Sequence, residues 1–361
     1  MEMFTPLVLA TVINAVITLL PLWHYEAWWI RIFDFPRMQF ITAIIITLLL
    51  AITLLDLSRG TSLLLVIINS GCLLYHGWWI WPYSRLYPVE VKASTTAQPT
   101  ETIKILASNV LMPNRHAECL LALMAEHQPD LLVTLESDLW WQTQLTPLEK
   151  EYPYTLQCPL DNLYGMHVYS RFPLEAAEIK YLVEPDVPSM HCLVVLPSGN
   201  KIRTHFLHPA PPSPTENDSS SERDAELLAV ANSIADATQP IIVAGDLNDV
   251  AWSNTTRLFR KVSGLRDPRI GRGMFNTFHA GYWFIRWPLD HLFHSHHFRV
   301  ITLKRLKLTG SDHFALLSHL ELSAQQDNGQ ARLNASPDDK VLARQKMAEQ
   351  GVSKKDIPSP H

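Results

Sequence analysis

The chain has 361 residues, 47% of them hydrophobic, and a formal net charge of −5. This length leaves room for two or three domains, and the apolar fraction is ordinary for a globular protein. Residues 102–322 carry 19 Lys and Arg against 24 Asp and Glu, so this part lacks the overall basic charge with which proteins meet duplex nucleic acid. The four cysteines form no CxxC pair and predict no disulfide framework.

Three uncharged apolar runs lie near the N-terminus, at 4–23, 40–55 and 61–83. A helix that crosses a bilayer needs about 20 apolar residues, with a range of roughly 17 to 25. A cleaved signal peptide would be one shorter run behind a basic start, which this chain does not have. We therefore predict a membrane anchor of three transmembrane helices in residues 1–85. The alternative is a buried helical hairpin in a soluble core.

Tryptophans cluster at the ends of these runs, as in the aromatic belts of membrane proteins. The segment 26–37, EAWWIRIFDFPR, mixes large apolar and charged residues and is predicted to lie flat at the interface between the first two spans. A polar linker follows at 86–101, then a catalytic domain at 102–322. The polar residues 323–361 are predicted to form a disordered tail.

Strand and helix patterns alternate in the region 102–322, which indicates an α/β fold with a mixed sheet. The predicted helices are 115–127 and 223–237, each with one apolar face. The predicted strands are short apolar runs at 103–110, 131–135, 191–196, 202–207, 241–244 and 298–303.

Several of the apolar runs are bordered by an acid, an amide or an imidazole. Any one of these residues is explained by a turn or a cap, but six such borders in series suggest a pocket at one edge of the sheets. Oxygen ligands and imidazoles suit a hard divalent cation such as Mg²⁺, and no zinc-type spacing is present. The bordering residues are Asn109, Glu136, His208, Asp246 with Asn248, Asp290, and Asp312 with His313.

These borders resemble the motifs of the endonuclease/exonuclease/phosphatase superfamily, in family order. The matching stretches are SNV, QPDLLVTLE, HFLHP, VAGDLN, PLDHLFHS and GSDHFAL. The resemblance implies a DNase I-like four-layer α/β sandwich preceded by the three transmembrane helices. It also implies a metal-dependent hydrolase of phosphate ester bonds.

The resemblance implies a site for Mg²⁺, with Mn²⁺ as the alternative ion. Glu136 would be the principal metal ligand. Asn109 and Asp312 would help to hold the same metal region, directly or through water. Whether one or two metals bind is left open.

The resemblance also implies the roles of five catalytic residues. Asp246 would orient or deprotonate the attacking water, and Asn248 would hold a phosphate oxygen. His313 would contact the scissile phosphate, with its ring oriented by Asp290. His208 would be a second phosphate contact or a proton donor.

Other polar residues are predicted to be structural or exposed. Arg223 has two interpretations, a salt bridge on a helix surface or a phosphate contact. A basic run is either solvated or faces anionic lipid headgroups; it comprises Arg257, Arg260, Lys261, Arg266, Arg269 and Arg272. The histidines expected to be structural or exposed are His167, His191, His205, His294, His296 and His297.

The leading interpretation is a membrane-anchored phosphoesterase whose partner is a phosphorylated, lipid-linked substrate. In layout the chain resembles bacterial members of the teicoplanin-resistance type, which are associated with lipid pyrophosphate. A membrane-tethered nuclease is the second interpretation, although nucleic acid is not favoured by the charge. A phosphate-binding membrane scaffold without turnover is the third.

The chain is expected in a bacterial inner (cell) membrane as a multi-pass protein. Three spans place the N-terminus and the catalytic domain on opposite faces. The positive-inside tendency favours a cytoplasmic domain, because Arg31, Arg37, Arg85 and Lys92 lie on its side and Arg59 on the other. The resemblance favours the outer face, so the side stays open.

Overall fold

The computed structural model of the chain describes residues 3–23, 25–323 and 333–359. Two sheets form the centre of the domain. The first has the strand order β10-β11-β1-β2-β4-β3, and the second has the order β5-β6-β7-β8-β9. The strands are β1 Thr102–Asn109, β2 Leu131–Leu135, β3 Tyr154–Cys158, β4 Met166–Ser170, β5 Leu174–Lys180, β6 Ser189–Val195, β7 Lys201–Phe206, β8 Ile241–Asp246, β9 Asp290–His294, β10 Phe298–Lys307 and β11 Phe314–Leu322.

Helices form the anchor and the two outer layers of the domain. The described helices are α1 Phe4–Leu19, α2 Trp28–Arg31, α3 Arg37–Leu54, α4 Gly60–Ile80, α5 Ala117–His127, α6 Leu139–Leu145, α7 Ser221–Ile234, α8 Asn254–Ser263 and α9 Pro337–Glu349.

Alternating side chains build the layers. In β1, Ile105 joins the cluster between the two sheets, while its neighbour Leu106 packs on α5 and α6. In β8, Ile242 joins the same central cluster, while Val243 packs on α7 and α8. Because successive strand residues point to opposite faces, each sheet is covered on both sides. The predicted four-layer α/β sandwich is confirmed.

Strand direction brings the polar borders to one edge of the sandwich. Strand β1 is parallel to β2, and β7 is parallel to β8, so the C-terminal ends of these strands lie at the same edge. Strands β9 and β11 run antiparallel to β8 and β1, so their first residues lie there too. In register, Asp246 of β8 lies opposite Asp290 of β9.

Three helical segments are long and apolar enough to cross a membrane, at the positions that the sequence predicts: Phe4–Leu22, Arg37–Leu54 and Gly60–Tyr83. Polar side chains join them. The amide of Asn14 in α1 donates to Asn69 in α4 over 2.8 Å and to Thr47 in α3 over 3.2 Å. Hydrogen bonds of this kind stabilise helix packing in an apolar medium.

The anchor is docked on the domain through several hydrogen bonds. The indole of Trp252 donates to the carbonyl of Asp34 over 2.8 Å, and the hydroxyl of Tyr83 donates to the carbonyl of Ala251 over 2.5 Å. The predicted linker also contacts the domain, since Val91 is fully buried. The ends of the three spans next to the domain are therefore fixed relative to the sandwich.

The sequence missed several elements. Strands β3 and β5 have exposed faces at the sheet edges and few large apolar residues, and α6 is only two turns long. Helix α8 begins shortly after the GDLND stretch. Its apolar periodicity was not recognised because basic residues alternate with the apolar ones. The six predicted strands and two predicted helices all occur, with ends that differ by up to four residues.

The prediction of a disordered tail is wrong where the tail is described. Residues 324–332 and 360–361 lie outside the described residues, but α9 forms at Pro337–Glu349. Ser336 starts it with a capping box to Asp339. Ala343 and Met347, one turn apart, bury against α7 and α8 with Val352. A few apolar residues are enough to dock α9 on the domain, because their spacing places them on one face of the helix.

We expect Met347→Ala to destabilise the domain by about 2–5 kcal/mol, because a buried Met→Ala change leaves a cavity. Thermal unfolding of the full chain in detergent checks this through a lower Tm. Val341→Ala on the same helix is the control, since Val341 is 61% exposed and should change little. Equal Tm values for the two variants would show that α9 is not part of the folded domain.

Candidate active site

Asn109 bridges the two sheets at the polar edge. Its side-chain amide donates to Glu136 Oε1 over 2.7 Å and to Asp246 Oδ2 over 3.2 Å. Its own oxygen accepts from the backbone N–H of Leu111, 3.1 Å away. One buried amide thus holds a carboxylate of the first sheet beside a carboxylate of the second.

His313 forms a buried pair with Asp290. Nδ1 of the ring lies 2.7 Å from Asp290 Oδ2, and Nε2 lies 3.5 Å from Asp246 Oδ2. Burial alone would lower the pKa of His313, but the carboxylates of Asp290 and Asp246 outweigh it and raise the pKa to about 10. The imidazole is therefore held as a cation with its Nε2 beside Asp246.

Asp246 remains ionised in spite of its burial. Burial would raise its pKa, but His313 and His208 together with the backbone N–H of Asn248 lower the pKa below its ordinary value. That N–H donates to Asp246 Oδ1 over 3.0 Å. Gly245 precedes it at φ +143°, where an added Cβ would lie 2.0 Å from the carbonyl oxygen of Leu207. A glycine is required for the chain to enter the site at this point.

Two site residues have left-handed backbones. Glu136 has φ +56° and Asn248 has φ +51°, which non-glycine residues seldom adopt. Each follows the last residue of a strand by one or two positions and turns its side chain away from the sheet. Strain of this kind concentrates at functional sites, where the surrounding structure holds it in place.

The donor set fits a hard divalent cation. Asp312 Oδ1 and Asp290 Oδ1 are buried without a hydrogen-bond partner among the described residues. Burial raises the pKa of Glu136 to about 7, against the hydrogen bond from Asn109 that lowers it. Ligand atoms of Asp246, Asp290 and His313 lie within 4.8 Å of one another, but His313 is held as a cation, so the carboxylates and not the imidazole offer metal ligands. Buried carboxylates in such excess over cations are stabilised when a metal ion binds between them.

His208 is held neutral. Burial lowers its pKa to about 4, and its Nδ1 has no partner in the described parts of the chain. The ring of Tyr164 lies 5.3 Å from its ring, and the hydroxyl of Tyr164 donates to Glu216. Neither Tyr164 nor Glu216 belongs to one of the polar motifs at strand ends, so no sequence pattern pointed to them.

Arg223 supports the site from behind. It is 2% exposed and donates to the carbonyl of Asn248 over 2.7 Å and to Asp224 over 2.9 Å. Both sequence interpretations, a helix-surface salt bridge and a phosphate contact, differ from this arrangement. Its guanidinium fixes the backbone of Asn248 and neutralises the buried Asp249, 3.6 Å away.

The basic run does not form one surface. Arg260 binds Glu90 over 2.6 Å, Arg269 binds Asp267 over 2.9 Å, and Lys261 binds Asp339 over 2.9 Å. These ion pairs are buried or half-buried and join the run to the domain. The predicted histidines at 167, 191, 205 and 294 are also buried in strands and do not line the cavity at the site.

A cavity of about 500 Å³ opens at this edge. Its polar end is formed by Glu136, His208, Asp246, Asn248, Asp312 and His313. The remaining two predicted site residues, Asn109 and Asp290, lie behind these side chains and hold them. The fold thus brings all eight predicted residues together.

The anchor forms part of the same cavity. Trp28, Ile32, Phe35 and Pro36, from the segment predicted to lie at the interface, line it opposite the catalytic residues. The sequence predicted the position of this segment in the membrane surface but not its role as a wall of the cavity, because the contact is made across more than 100 residues of chain.

Comparisons with known proteins agree with this geometry. A model of the "Endonuclease/Exonuclease/phosphatase family" matches residues 106–313. No curated protein shows significant sequence similarity to the chain.

Solved structures share the fold. An endonuclease/exonuclease/phosphatase from Beutenbergia cavernae has 17% identity and a TM-score of 0.51, over 62% of this chain and 72% of its own. One from Bacteroides vulgatus has 13% identity and a TM-score of 0.50, over 62% and 100%. D. rerio TDP2 complexed with single strand DNA product has 17% identity and a TM-score of 0.50, over 61% and 98%. Because the family model spans more than half of the sequence, the chain belongs to the endonuclease/exonuclease/phosphatase family, whose members are hydrolases of phosphate esters.

Proposed function

We propose that the chain is a membrane-anchored, divalent-metal-dependent phosphoesterase that hydrolyses a lipid-linked phosphate. The observation that carries this proposal is the shared cavity, in which catalytic side chains face the interfacial segment of the anchor. A phosphoesterase for soluble substrates needs no such wall.

The two ends of the cavity differ in chemistry. The phosphate-binding end holds carboxylates and imidazoles. The anchor side presents the apolar Trp28, Ile32 and Phe35, together with Arg31, whose guanidinium donates to the backbone carbonyls of Trp23 and Tyr25. Phe278, Trp287 and Leu289 extend the apolar surface from the domain. A ligand with a phosphate at one end and a hydrocarbon chain at the other matches this division, because each part is then desolvated against a complementary surface.

The position of the cavity relative to the bilayer also supports a lipid substrate. The segment that lines the cavity directly follows the first span and precedes the second. Trp23 and Trp81, at the ends of the first and third candidate spans, and Trp29 in the segment itself are exposed, as interfacial aromatic residues of membrane proteins are. The mouth of the cavity therefore opens at the headgroup level, where lipid phosphates are located.

The residues divide the reaction between them. Glu136 and Asp312 would hold a divalent cation, with Asn109 positioning Glu136, and when bound the cation would supply polarisation of a phosphoryl oxygen and a lowered pKa of bound water. Asp246, which is ionised, accepts a hydrogen bond from the attacking water and then its proton. His313, which is cationic, donates from Nε2 to a phosphate oxygen and stabilises the negative charge that develops. Asp290 keeps the ring of His313 in place.

The supporting residues act on orientation. Arg223 fixes the carbonyl of Asn248, so that the amide of Asn248 points along the cavity wall and donates to the carbonyl of Pro209 over 3.0 Å. One amide hydrogen remains for a phosphate oxygen. Neutral His208 offers a second hydrogen bond at the same end of the cavity.

The first test measures hydrolysis by the full chain in lipid nanodiscs, with Mg²⁺ or with EDTA, by separating substrates from products, because cleavage of a phosphodiester releases no free phosphate. The substrates are a lipid pyrophosphate, a phosphodiester lipid, and single- and double-stranded DNA. We expect metal-dependent turnover of a lipid substrate. Asp246→Asn should lower kcat by roughly 100-fold or more because the general base is lost, and Glu136→Gln should raise the Mg²⁺ concentration that is needed.

The matched controls for this test are Asp236→Asn and Glu178→Gln, which change exposed residues of the same domain. They should leave activity unchanged. Cleavage of DNA alone would make the chain a tethered nuclease, and binding without turnover of any substrate would make it a scaffold. Full activity of Asp246→Asn would contradict the assigned roles.

A second prediction concerns the anchor wall. Ile32→Ser should lower kcat/KM for the lipid substrate by about 10-fold, because a hydrocarbon contact in the pocket is lost. Hydrolysis of a soluble aryl phosphodiester should change less than twofold. Ile46→Ser is the control: Ile46 is 53% exposed, as Ile32 is 52%, but it lies within the second span away from the cavity. Equal effects of the two variants would show that the wall does not contact substrate.

A further inference from the structure

We infer that residues 279–286 form a membrane-inserted loop, a fourth contact with the bilayer besides the three spans. The loop lies between Phe278 and Trp287, which both line the catalytic cavity. This inference rests on the membrane anchoring in the proposed function, and adds to it a surface of the catalytic domain that enters the lipid.

Three consecutive aromatic side chains at the tip of the loop are exposed. Trp283 is 83% exposed, Phe284 is 53% exposed and Tyr282 is 50% exposed. They contact one another, with the rings of Trp283 and Phe284 5.3 Å apart. Residues 280–285, AGYWFI, include no charge. Exposed apolar clusters of this kind on a folded domain mark a surface for another apolar phase.

The position of the loop selects the bilayer as that phase. The side-chain amide of Gln39, in the first turn of α3, donates to the carbonyl of Phe284 over 2.5 Å. Because α3 is a candidate span that begins at Arg37, the tip of the loop lies at the level where this span enters the membrane. A soluble partner protein would have to occupy the same space as the lipid that surrounds α3.

The chemistry of the tip suits the headgroup boundary. Trp and Tyr favour this level because their rings are apolar and their N–H and O–H groups remain hydrated. Arg286 holds the base of the loop by donating to the carbonyl of Ala280 over 3.2 Å and lies over the ring of Phe314. The loop therefore presents apolar rings toward the lipid and keeps its charge at the domain.

The base of the loop contacts the catalytic residues. The ring of Phe278 lies 4.9 Å from the ring of His313, and the backbone N–H of Ala280 donates to the carbonyl of Asp312 over 2.5 Å. Insertion of the tip thus fixes the depth at which the cavity meets the lipid. A lipid phosphate then reaches His313 without leaving the headgroup layer.

The test places an environment-sensitive NBD probe on single cysteines of the full chain in nanodiscs of phosphatidylcholine and phosphatidylglycerol, with no other protein present. Cys119→Ser removes the one native cysteine that is not buried. The positions are Trp283→Cys in the loop, Ile46→Cys in the second span, and Ser198→Cys. Ser198 lies in the exposed β6–β7 turn, at the opposite end of β7 from the active site.

We expect the emission of the probe at position 283 to be stronger and shifted to the blue. Nitroxide groups attached to lipids should quench this emission to the same extent as that of the probe at position 46. The probe at 198 should report water. If the probe at position 283 has the same emission as the probe at position 198, the inference about the loop is wrong. In that case, a probe at position 46 that still reports lipid would continue to support the membrane anchor. If the probe at 46 also reports water, the proposed membrane function fails as well.

A second position separates insertion from an effect of the 283 substitution. Tyr282→Cys carries the probe while Trp283 remains, and it should also be quenched by the lipid nitroxide. Quenching at neither 282 nor 283 would contradict the inference. Near-ultraviolet circular dichroism equal to that of the parent chain checks that the labelled variants are folded.

Discussion

The arrangement of the site depends on how several carboxylates are held close together out of water. Buried carboxylates that lie close together raise one another's pKa, so that without other partners they would take up protons and become neutral. Here Asn109 donates to the carboxylates of Glu136 and Asp246, and His313 places a cation between Asp246 and a third carboxylate, that of Asp290. His313, with His208, the backbone N–H of Asn248 and the amide of Asn109, keeps the pKa of Asp246 below its ordinary value, whereas burial raises the pKa of Glu136 to about 7. A divalent cation at this site would neutralise the remaining charge.

The stretch from Asp246 to Trp252 links this pocket to the membrane anchor. One face carries Asp246 and Asn248 into the cavity. The other face carries Asp249, neutralised by Arg223, and Trp252, whose indole bonds to the carbonyl of Asp34 between the first two spans. Because the same short loop binds both, the position of the catalytic residues relative to the three candidate spans is set by the fold and not by a flexible tether.

Much of this could be predicted from the sequence, because strand ends with polar borders are local patterns. The register of parallel and antiparallel strands then brings Asn109, Glu136, Asp246 and Asp290 to one edge, as the motifs implied. The features that could not be predicted from the sequence depend on contacts between residues far apart in the chain. The basic run is locally ambiguous, since Arg260 is paired with Glu90 across the supposed linker. The tail looked polar because only a few apolar residues of α9 face the domain.

Because the anchor forms one wall of the cavity, the domain at 102–322 would not keep a complete cavity on its own. Cutting the chain at residue 102 would remove Trp28, Ile32 and Phe35 from the cavity wall and leave Arg260 buried without Glu90. The first loss would expose the apolar surfaces of Phe278 and Trp287 to water, and the second would leave an uncompensated charge, which costs about 3–5 kcal/mol. The N-terminal segment is therefore a structural part of the candidate active site. In the proposed function, specificity for a hydrocarbon part of the substrate would depend on this segment, while the chemistry would depend on the sandwich.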